Sequence, residues 1–290
     1  MKFKLQTLFV VAAAMSAMVA CSKDDDNNND NMPPDNNPPK ATINITNNAQ
    51  LGQVITDSLG NTLYFYSMDS KPDTSYCSGG CLAVWPAFYS ANLTLGDSRL
   101  HADDFGTITR ADGAKQTTYK GWPLYYYASD AAAGDVKGEA FNNVWFVAKP
   151  DYSVMLVNKQ LVGNDGVEYN SAYTPGKAIT QFLTDDYGRT LYAFSPDKFK
   201  KNTYTDSLFT KNPTWPIYEV SAVNSVPSIL AKTDFDTVHV FSHVQLAYKG
   251  WPLYFFGPDA MTRGNTKGVS VPKPGVWPIV NLASAVAPQP

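Results

Sequence analysis

Residues 119–130 of the chain read YKGWPLYYYASD, and residues 248–259 read YKGWPLYFFGPD. A second pair of segments is related in the same way, with VITDSLGNTLYFYSMD at 54–69 and FLTDDYGRTLYAFSPD at 182–197. Corresponding residues lie 128 positions apart in the second pair and 129 in the first, which indicates two homologous regions in tandem. We therefore predict two repeat domains, at residues 50–149 and 177–284, with a linker at 150–176 and a tail at 285–290.

A shorter motif, Gly-x-[Thr/Pro]-Leu-Tyr-x-aromatic-x-x-Asp, occurs twice in each region. Its copies begin at Gly60, Gly121, Gly188 and Gly250. Alternate residues of a strand share a face, so the Tyr and the aromatic residue two places later lie together, with the Leu on the opposite face. Gly before the strand and Asp after it are typical of turns. Each copy thus predicts one strand between two turns, and each domain contains an internal half-repeat.

The remaining sequence predicts an all-β fold with antiparallel strands. Short runs of β-branched and aromatic residues alternate with Gly, Pro, Asn and Asp, and no stretch after residue 20 shows a convincing helical period of apolar residues. The predicted strands cover 106–110, 116–119, 144–148, 215–220, 238–242 and 244–248, with a further candidate at 152–157. Four quarter-repeats would also fit a four-bladed propeller, but the half-repeats differ outside the shared strand, which favours two separate domains.

Composition excludes several classes of protein. Of the 290 residues, 44% are hydrophobic and 17% charged, which suffices for a core, and the formal net charge of −3 offers no basic face for a nucleic acid. Three Cys and three His are too few for zinc-finger arrays or multi-haem and iron–sulfur carriers. Because no Gly-x-Ser-x-Gly and no distinctive carboxylate pair occurs, we expect neither an enzyme nor a cofactor.

The N-terminal 20 residues predict a signal peptide. Lys2 and Lys4 precede an apolar run that is too short for a comfortable membrane span and ends directly before Cys21. This pattern resembles a bacterial lipoprotein signal, in which the cysteine becomes the lipidated first residue. Acyl chains would attach the protein to a membrane.

The segment after Cys21 predicts a disordered tether, over residues 21–49. Residues 22–40 read SKDDDNNNDNMPPDNNPPK, a composition that keeps a chain extended and solvated. The acidic start of this tract is similar to an export signal for the outer face of the outer membrane, and a plain charged spacer is the alternative. We expect an outer-membrane lipoprotein at the cell surface, with a periplasm-facing one as the alternative.

The four tyrosine–aspartate motifs, the YKGWPLY segments and the Cys-x-x-x-Cys pair before Trp85-Pro86 resemble the secreted-repeat lipoproteins of unknown function. The resemblance covers about residues 50–149 and 177–282. It implies an extracytoplasmic β-rich repeat module and brings no established activity. The second copy lacks both cysteines and has Asn265 in place of Asp135.

The aromatic rows are the candidate binding face. Aromatic rings stack on sugars and are enriched where proteins bind each other, and a buried fold signature is the alternative. The expected function is a lipid-anchored, surface-exposed binding or scaffold protein with a polysaccharide or an envelope protein as its partner. The predicted face comprises Tyr64, Tyr66, Asp69, Trp122, Tyr125, Tyr127, Asp130, Tyr192, Phe194, Asp197, Trp251, Tyr254, Phe256 and Asp259.

A second hypothesis is an extracytoplasmic redox or metal-handling protein. Cys77 and Cys81 are expected to form a disulfide outside the cytoplasm, either as a structural staple or as a reducible switch. His239 and His243 lie about 13 Å apart along one strand, unless a turn at 241–242 brings them together. The acidic loops 130–138 and 259–268 have oxygen ligands but not the pattern of a calcium-binding EF-hand, so turn-capping aspartates are favoured and no metal site is predicted.

Overall fold

The computed structural model of the protein describes residues 42–290. The predicted signal peptide, Cys21 and the tether up to residue 41 lie outside the described residues. Within the described part, short antiparallel strands alternate with turns, and no helix there is long and apolar enough to cross a membrane. The all-β, antiparallel prediction is confirmed.

Seven strands form the N-terminal half (residues 42–149) and six form the C-terminal half (residues 150–290). The first seven are β1 (Ile43–Asn48), β2 (Gly52–Asp57), β3 (Tyr64–Tyr66), β4 (Phe105–Thr109), β5 (Lys115–Tyr119), β6 (Trp122–Pro123) and β7 (Trp145–Val147). The others are β8 (Met155–Val162), β9 (Glu168–Tyr169), β10 (Ile179–Thr184), β11 (Phe235–Val240), β12 (His243–Tyr248) and β13 (Trp251–Pro252). The helical segments are short: α1 (Gly80–Val84) and 3-10 turns at Ala102–Asp104, Phe141–Asn143, Lys232–Asp234, Gly257–Asp259 and Lys267–Ser270.

The two halves repeat one plan of strand pairing. In the N-terminal half β1 pairs with β2, β3 with β7, and β4, β5 and β6 form a three-stranded sheet. In the C-terminal half β8 pairs with β10 and β9, and β11, β12 and β13 form the matching three-stranded sheet. No sheet among residues 42–290 has four strands, so the propeller alternative does not apply.

The fold begins earlier than the predicted tether allows. Residues 43–48 were assigned to a disordered segment, yet β1 pairs with β2 along its whole length, from Ile43 opposite Asp57 to Asn48 opposite Gly52. The side chain of Ile43 is fully buried. Two isoleucines separated by one residue are enough for a strand when a hydrophobic partner strand follows, even though the surrounding tract is rich in Asn.

The predicted linker and tail are also parts of the fold. Residues 150–176 contain β8, which pairs with β10 from Met155 opposite Thr184 to Gln160 opposite Ile179. This pair of strands is the counterpart of β1 and β2, because β10, like β2, directly precedes the first motif of its half, and β8 supplies the buried run from Met155 to Val157. In the tail, Ala287 is buried and its N–H donates to the carbonyl of Lys249 at 2.9 Å.

The halves share one core instead of forming two separate domains. Residues 42–290 belong to one compact unit. Its largest hydrophobic cluster joins Phe65, Trp122 and Phe146 of the N-terminal half to the buried aromatic residues of the C-terminal half. Two smaller clusters fill the N-terminal half alone. The tandem repeats are therefore two parts of a single packing unit.

Candidate functional site

The two motif copies of each half meet at their first tyrosine. The N–H of Tyr64 donates to the carbonyl of Tyr125 at 2.8 Å, and the N–H of Tyr125 donates back to Tyr64 at 2.9 Å. Tyr192 and Tyr254 exchange the same two hydrogen bonds, both at 2.9 Å. Each half is thus built around an antiparallel bridge between two equivalent motif residues.

Each motif tyrosine donates its hydroxyl to the aspartate of the other copy. Tyr64 donates to Asp130 at 2.6 Å and Tyr125 to Asp69 at 2.7 Å. In the C-terminal half, Tyr192 donates to Asp259 at 2.6 Å and Tyr254 to Asp197 at 2.7 Å. Burial raises the pKa of all four tyrosines well above the ordinary range, so the hydroxyls stay protonated and remain donors. Hydrogen bonds of a phenol to a carboxylate are among the stronger ones in proteins.

The second oxygen of each aspartate holds the loop that follows the motif. Backbone N–H groups donate to Asp69 from Tyr76 at 2.7 Å and to Asp130 from Lys137 at 2.9 Å. The matching bonds of the other half run from Thr203 to Asp197 at 2.7 Å and from Lys267 to Asp259 at 2.8 Å. One carboxylate therefore ties a core tyrosine to a backbone segment six to eight residues further along the chain.

Burial also shifts the titration of these aspartates. It raises the pKa of Asp69 to about 7 and that of Asp259 to about 6, against the opposing effect of the hydrogen bonds that each accepts. The pKa values of Asp130 and Asp197 are raised for the same reason. A buried carboxylate loses water that the few protein donors replace only in part.

The remaining motif aromatics belong to a stack of four rings in each half. Tyr66, Trp145, Trp85 and Tyr127 stack in that order, with centroid separations of 4.0, 3.9 and 4.3 Å. Phe194, Trp277, Trp215 and Phe256 repeat the stack at 4.4, 3.6 and 4.3 Å. A Cβ atom on Gly138 would lie 2.7 Å from Trp85, and one on Gly268 would lie 2.8 Å from Trp215. Each loop can therefore pass the ring stack only because a glycine occupies that position.

The predicted aromatic face is therefore mostly an interior. Within the predicted set, Tyr64, Tyr125, Tyr192, Tyr254, Asp69, Asp197, Asp259, Trp122 and Phe256 are buried. Tyr66, Tyr127, Asp130, Phe194 and Trp251 are half-buried. The alternation of the strand was read correctly, but the face that it creates is covered by the other motif copy, whose aspartate satisfies the tyrosine hydroxyl.

One half-buried motif residue borders an open cleft. The cleft has a volume of about 410 Å³ and is lined by Tyr126, Tyr127, Asp57, Leu59, Asn61, Thr62 and Asp130. The hydroxyl of Tyr126 donates to Asp57 at 3.0 Å, whereas the hydroxyl of Tyr127 has no hydrogen-bond partner among residues 42–290. Leu59 is 66% exposed at its rim. The motif predicts a turn at Gly60, but it does not predict that residues 57–61 form a wall of a cleft, since an Asp-Ser-Leu-Gly-Asn turn carries no binding signal of its own.

Cys77 and Cys81 form the predicted disulfide, with Cα atoms 5.3 Å apart. The bonded pair lies at the start of α1, where the buried Arg110 donates to the carbonyl of Cys77 and to the hydroxyl of Ser75. The N–H of Trp85 donates to the carbonyl of Cys81 at 2.8 Å. The disulfide thus fixes the segment that delivers Trp85 to the ring stack.

The histidines do not converge. The chain turns at 241–242, but His239 lies opposite Val244 and His243 opposite Val240, so the two rings project from opposite faces of the hairpin. His243 instead contacts the carboxylate of Glu219 at 2.7 Å. Asp135 of the first acidic loop accepts the N–H groups of Ala131 and Ala132. Residues 42–290 contain no group of three His, Cys, Asp or Glu side chains arranged to hold a metal ion.

Comparison with known proteins gives one match. A family model described as a secreted repeat of unknown function matches residues 45–88 and residues 106–149. Each matched segment contains one tyrosine–aspartate motif, so the matched unit is the half-repeat. No curated protein and no solved structure matches the chain.

Proposed function

We propose that this chain, in which residues 45–88 and 106–149 match a secreted repeat of unknown function, is a lipid-anchored envelope protein that binds a polysaccharide. The repeats would serve as a rigid scaffold, and the cleft beside Tyr127 would receive the sugar chain. The match to a secreted repeat supports a location outside the cytoplasm, where surface polysaccharides would be within reach.

The cleft is the observation that carries this proposal. Tyr126 and Tyr127 both line the cleft, and sugars present apolar C–H faces that pack on aromatic rings. The amide of Asn61 and the free hydroxyl of Tyr127 can bond sugar hydroxyls at the rim of the same cleft. A mostly preformed pocket with a few placed polar groups is the usual form of a small-ligand site.

The scaffold explains why this cleft keeps its shape. Tyr127 is the outer ring of the four-ring stack, and Asp130 holds both Tyr64 and the N–H of Lys137. Asp57 accepts the N–H groups of Leu59 and Asn61 at 2.8 and 2.9 Å, which fixes the opposite wall. A preordered site loses less conformational entropy when it binds.

Binding is tested with the mature chain carrying Cys21→Ser, applied to an array of bacterial surface polysaccharides. Leu59→Asp places a charge at the rim of the cleft and should weaken binding about tenfold, the equivalent of about 1.4 kcal/mol. Leu208→Asp is the matched control, because Leu208 is 81% exposed and does not line the cleft. Absence of binding to every polysaccharide, or an equal loss in both variants, would refute the proposal.

The lipid anchor is tested separately. If Cys21 is lipidated, Cys21→Ser should release the protein from the membrane or leave an uncleaved precursor. The tract between Cys21 and the fold, residues 22–40, spans at most roughly 65 Å when fully extended. Replacement of residues 23–26 by alanine should keep lipidated protein from reaching the cell surface. Equal protease shaving of intact cells with and without that change would show that the acidic tract is only a spacer.

A further inference from the structure

The two Tyr-Lys-Gly-Trp turns are covered in different ways. In the N-terminal half, the indole N–H of Trp122 donates to the carbonyl of Asp186 at 2.9 Å, and the ammonium group of Lys120 donates to the Asp186 carboxylate at 2.5 Å. Arg263 donates to the carbonyls of Lys120 and Gly121, each at 2.8 Å. Residues of the C-terminal half therefore cover the first turn and form hydrogen bonds with it.

The second turn makes the same kinds of contact with the end of the chain. The indole N–H of Trp251 donates to the carbonyl of Ala285 at 2.8 Å. The ammonium group of Lys249 donates to the carbonyls of Leu282 and Ser284 at 2.9 and 3.1 Å. The N–H of Ala287 donates to the carbonyl of Lys249 at 2.9 Å. The C-terminal segment, residues 281–290, thus takes the place that the neighbouring half takes at the first turn.

We propose that the turn formed by Lys249, Gly250 and Trp251 is a peptide-binding site that accepts an extended segment of small residues. Its present occupant is the chain's own C-terminal segment. The hydrogen bonds named above involve only backbone atoms of that segment. They therefore do not require particular side chains in the peptide. The carbonyl of Ala285 lies 2.8 Å from the indole nitrogen, and the two preceding residues, Ala283 and Ser284, are also small.

The C-terminal segment does not fill the site completely. Trp122 is 2% exposed in its contact with the other half, whereas Trp251 remains half-buried. A groove of about 320 Å³ lies along the segment, and its lining includes Tyr173, Trp251 and Ile279 together with Asn281, Ala283, Ser284 and Ala285.

A second copy of the chain is a poorer fit than a peptide. To receive the second turn, the N-terminal half of another copy would present its own equivalents of Asp186 and Arg263. The repeat alignment places Ser58 at the first position. The matching bonds from Gly134 to Gly60 and from Gly264 to Gly188 place Ala133 at the second. Both charged contacts of the internal junction would be missing.

The test uses a chain that ends at Asn281 and a fluorescent peptide with the sequence LASAVAPQP, residues 282–290. The shortened protein should bind the peptide saturably at one site, measured by anisotropy, and the full chain should bind it at least tenfold more weakly. Trp251→Ala in the shortened chain should reduce binding at least tenfold. A peptide with Ala287→Pro lacks the N–H that Lys249 accepts and should bind about fivefold more weakly, whereas Val286→Ser should bind as the original does.

A folded shortened chain that does not bind the peptide would overturn the proposal. So would its dimerisation in size-exclusion chromatography, since that outcome assigns the turn to a second copy. Where the shortened chain does not fold, hydrogen exchange on the full chain decides. Trp251→Ala should speed exchange of the Ala287 amide at least tenfold while the amides of β8 keep their protection, and unchanged exchange at Ala287 would contradict the assignment.

Discussion

At the scale of single residues, the tyrosine–aspartate motif is a means of joining two chain segments. The tyrosine and the aspartate of one copy do not contact each other; each reaches its counterpart in the second copy. A single copy would leave the tyrosine hydroxyl without its carboxylate acceptor and one oxygen of the buried aspartate without its donor, which destabilises a fold. This exchange accounts for the occurrence of the motif in pairs.

Removal of one motif hydroxyl tests this account. Tyr192→Phe leaves an oxygen of the buried Asp259 without its donor and removes the acceptor of the Gly268 N–H, 3.3 Å away. We expect the free energy of unfolding to fall by about 1–3 kcal/mol in urea denaturation. Tyr66→Phe is the matched control, because the Tyr66 hydroxyl has no hydrogen-bond partner within the described residues. Equal stability of the two variants would show that the hydroxyl contact is dispensable.

The raised pKa of Asp69 predicts that the fold is more stable in mild acid than in mild base. Between the ordinary value of 3.8 and the folded value of about 7, the folded protein binds a proton that the unfolded chain does not. Stability from this group is therefore present at low pH and is lost as the pH rises through about 7, by at most about 4 kcal/mol.

Asp69→Asn removes this titration while its amide oxygen can still accept the N–H of Tyr76. We expect the fall in unfolding free energy from pH 5 to pH 8 to be smaller in this variant than in the wild type. Part of the pH dependence of the unfolding free energy should remain in this variant, because burial also raises the pKa values of Asp185 and Asp259 to about 6. The exposed Asp103→Asn serves as the control and should leave the pH profile unchanged. Parallel profiles for Asp69→Asn and the wild type would contradict the prediction.

At the scale of elements, the two halves hold the same tryptophan by different means. In the N-terminal half, the disulfide stands before Trp85, whose N–H donates to Cys81. In the C-terminal half, the N–H of Trp215 donates to Lys211 at 2.9 Å, and no cysteine is available. There Asp206 accepts the N–H groups of Leu208 and Thr210, each at 3.1 Å, and closes a turn with its side chain.

The disulfide should therefore stabilise the protein without being required for folding. A ring this short contributes about 2 kcal/mol in the chain-entropy account. For a unit of this size, loss of that amount should lower the melting temperature by roughly 4–8 °C. We expect this shift from Cys77→Ser combined with Cys81→Ser, and from reductant on the wild type, measured on the whole protein because the halves share a core. Reductant should leave the double variant unchanged; a further shift there would contradict the account.

The sequence predicts most of the strands whose residues alternate between apolar and polar side chains. The runs at 106–110, 116–119, 238–242 and 244–248 correspond to β4, β5, β11 and β12 within three residues at each end. The run at 215–220 forms only isolated bridges, at Ile217 and Glu219. β1 was missed because its polar positions resemble the tether before it. Burial of the motif tyrosines depends on which segment packs over them. The alternation of residues along one strand does not predict that tertiary contact.

At the scale of the whole molecule, the tandem repeat was evident from the sequence, but the contact that joins its halves was not. Arg263 lies in the loop 259–268, whose acidic and glycine-containing sequence predicts turn-capping aspartates and not a contact between the halves. It is buried, lies 4.1 Å from the centre of the Trp122 ring and donates to three backbone carbonyls, those of Tyr187, Lys120 and Gly121. The one signal in the sequence was an arginine where the equivalent loop has Ala133.

This junction predicts that the halves unfold together and that Arg263 couples them. Arg263→Lys keeps the charge but cannot match the planar fork that reaches several carbonyls and stacks on the indole. We expect the unfolding free energy to fall by about 1–3 kcal/mol, since buried carbonyls lose their donors. The wild type should melt in one transition, whereas a weakened junction should separate it into two. Arg99→Lys is the control and should leave the transition unchanged, because among residues 42–290 the guanidinium of Arg99 pairs only with Asp97, at the surface.

A double-mutant cycle with Trp122→Ala identifies the contact itself. If guanidinium and indole stabilise each other, the two substitutions together should destabilise the protein by less than the sum of their separate effects, with a coupling of about 0.5–3 kcal/mol. Additive effects would show that Arg263 acts through the carbonyls alone. A wild type that already melts in two transitions would show that the shared core around Trp122 does not make the halves cooperative.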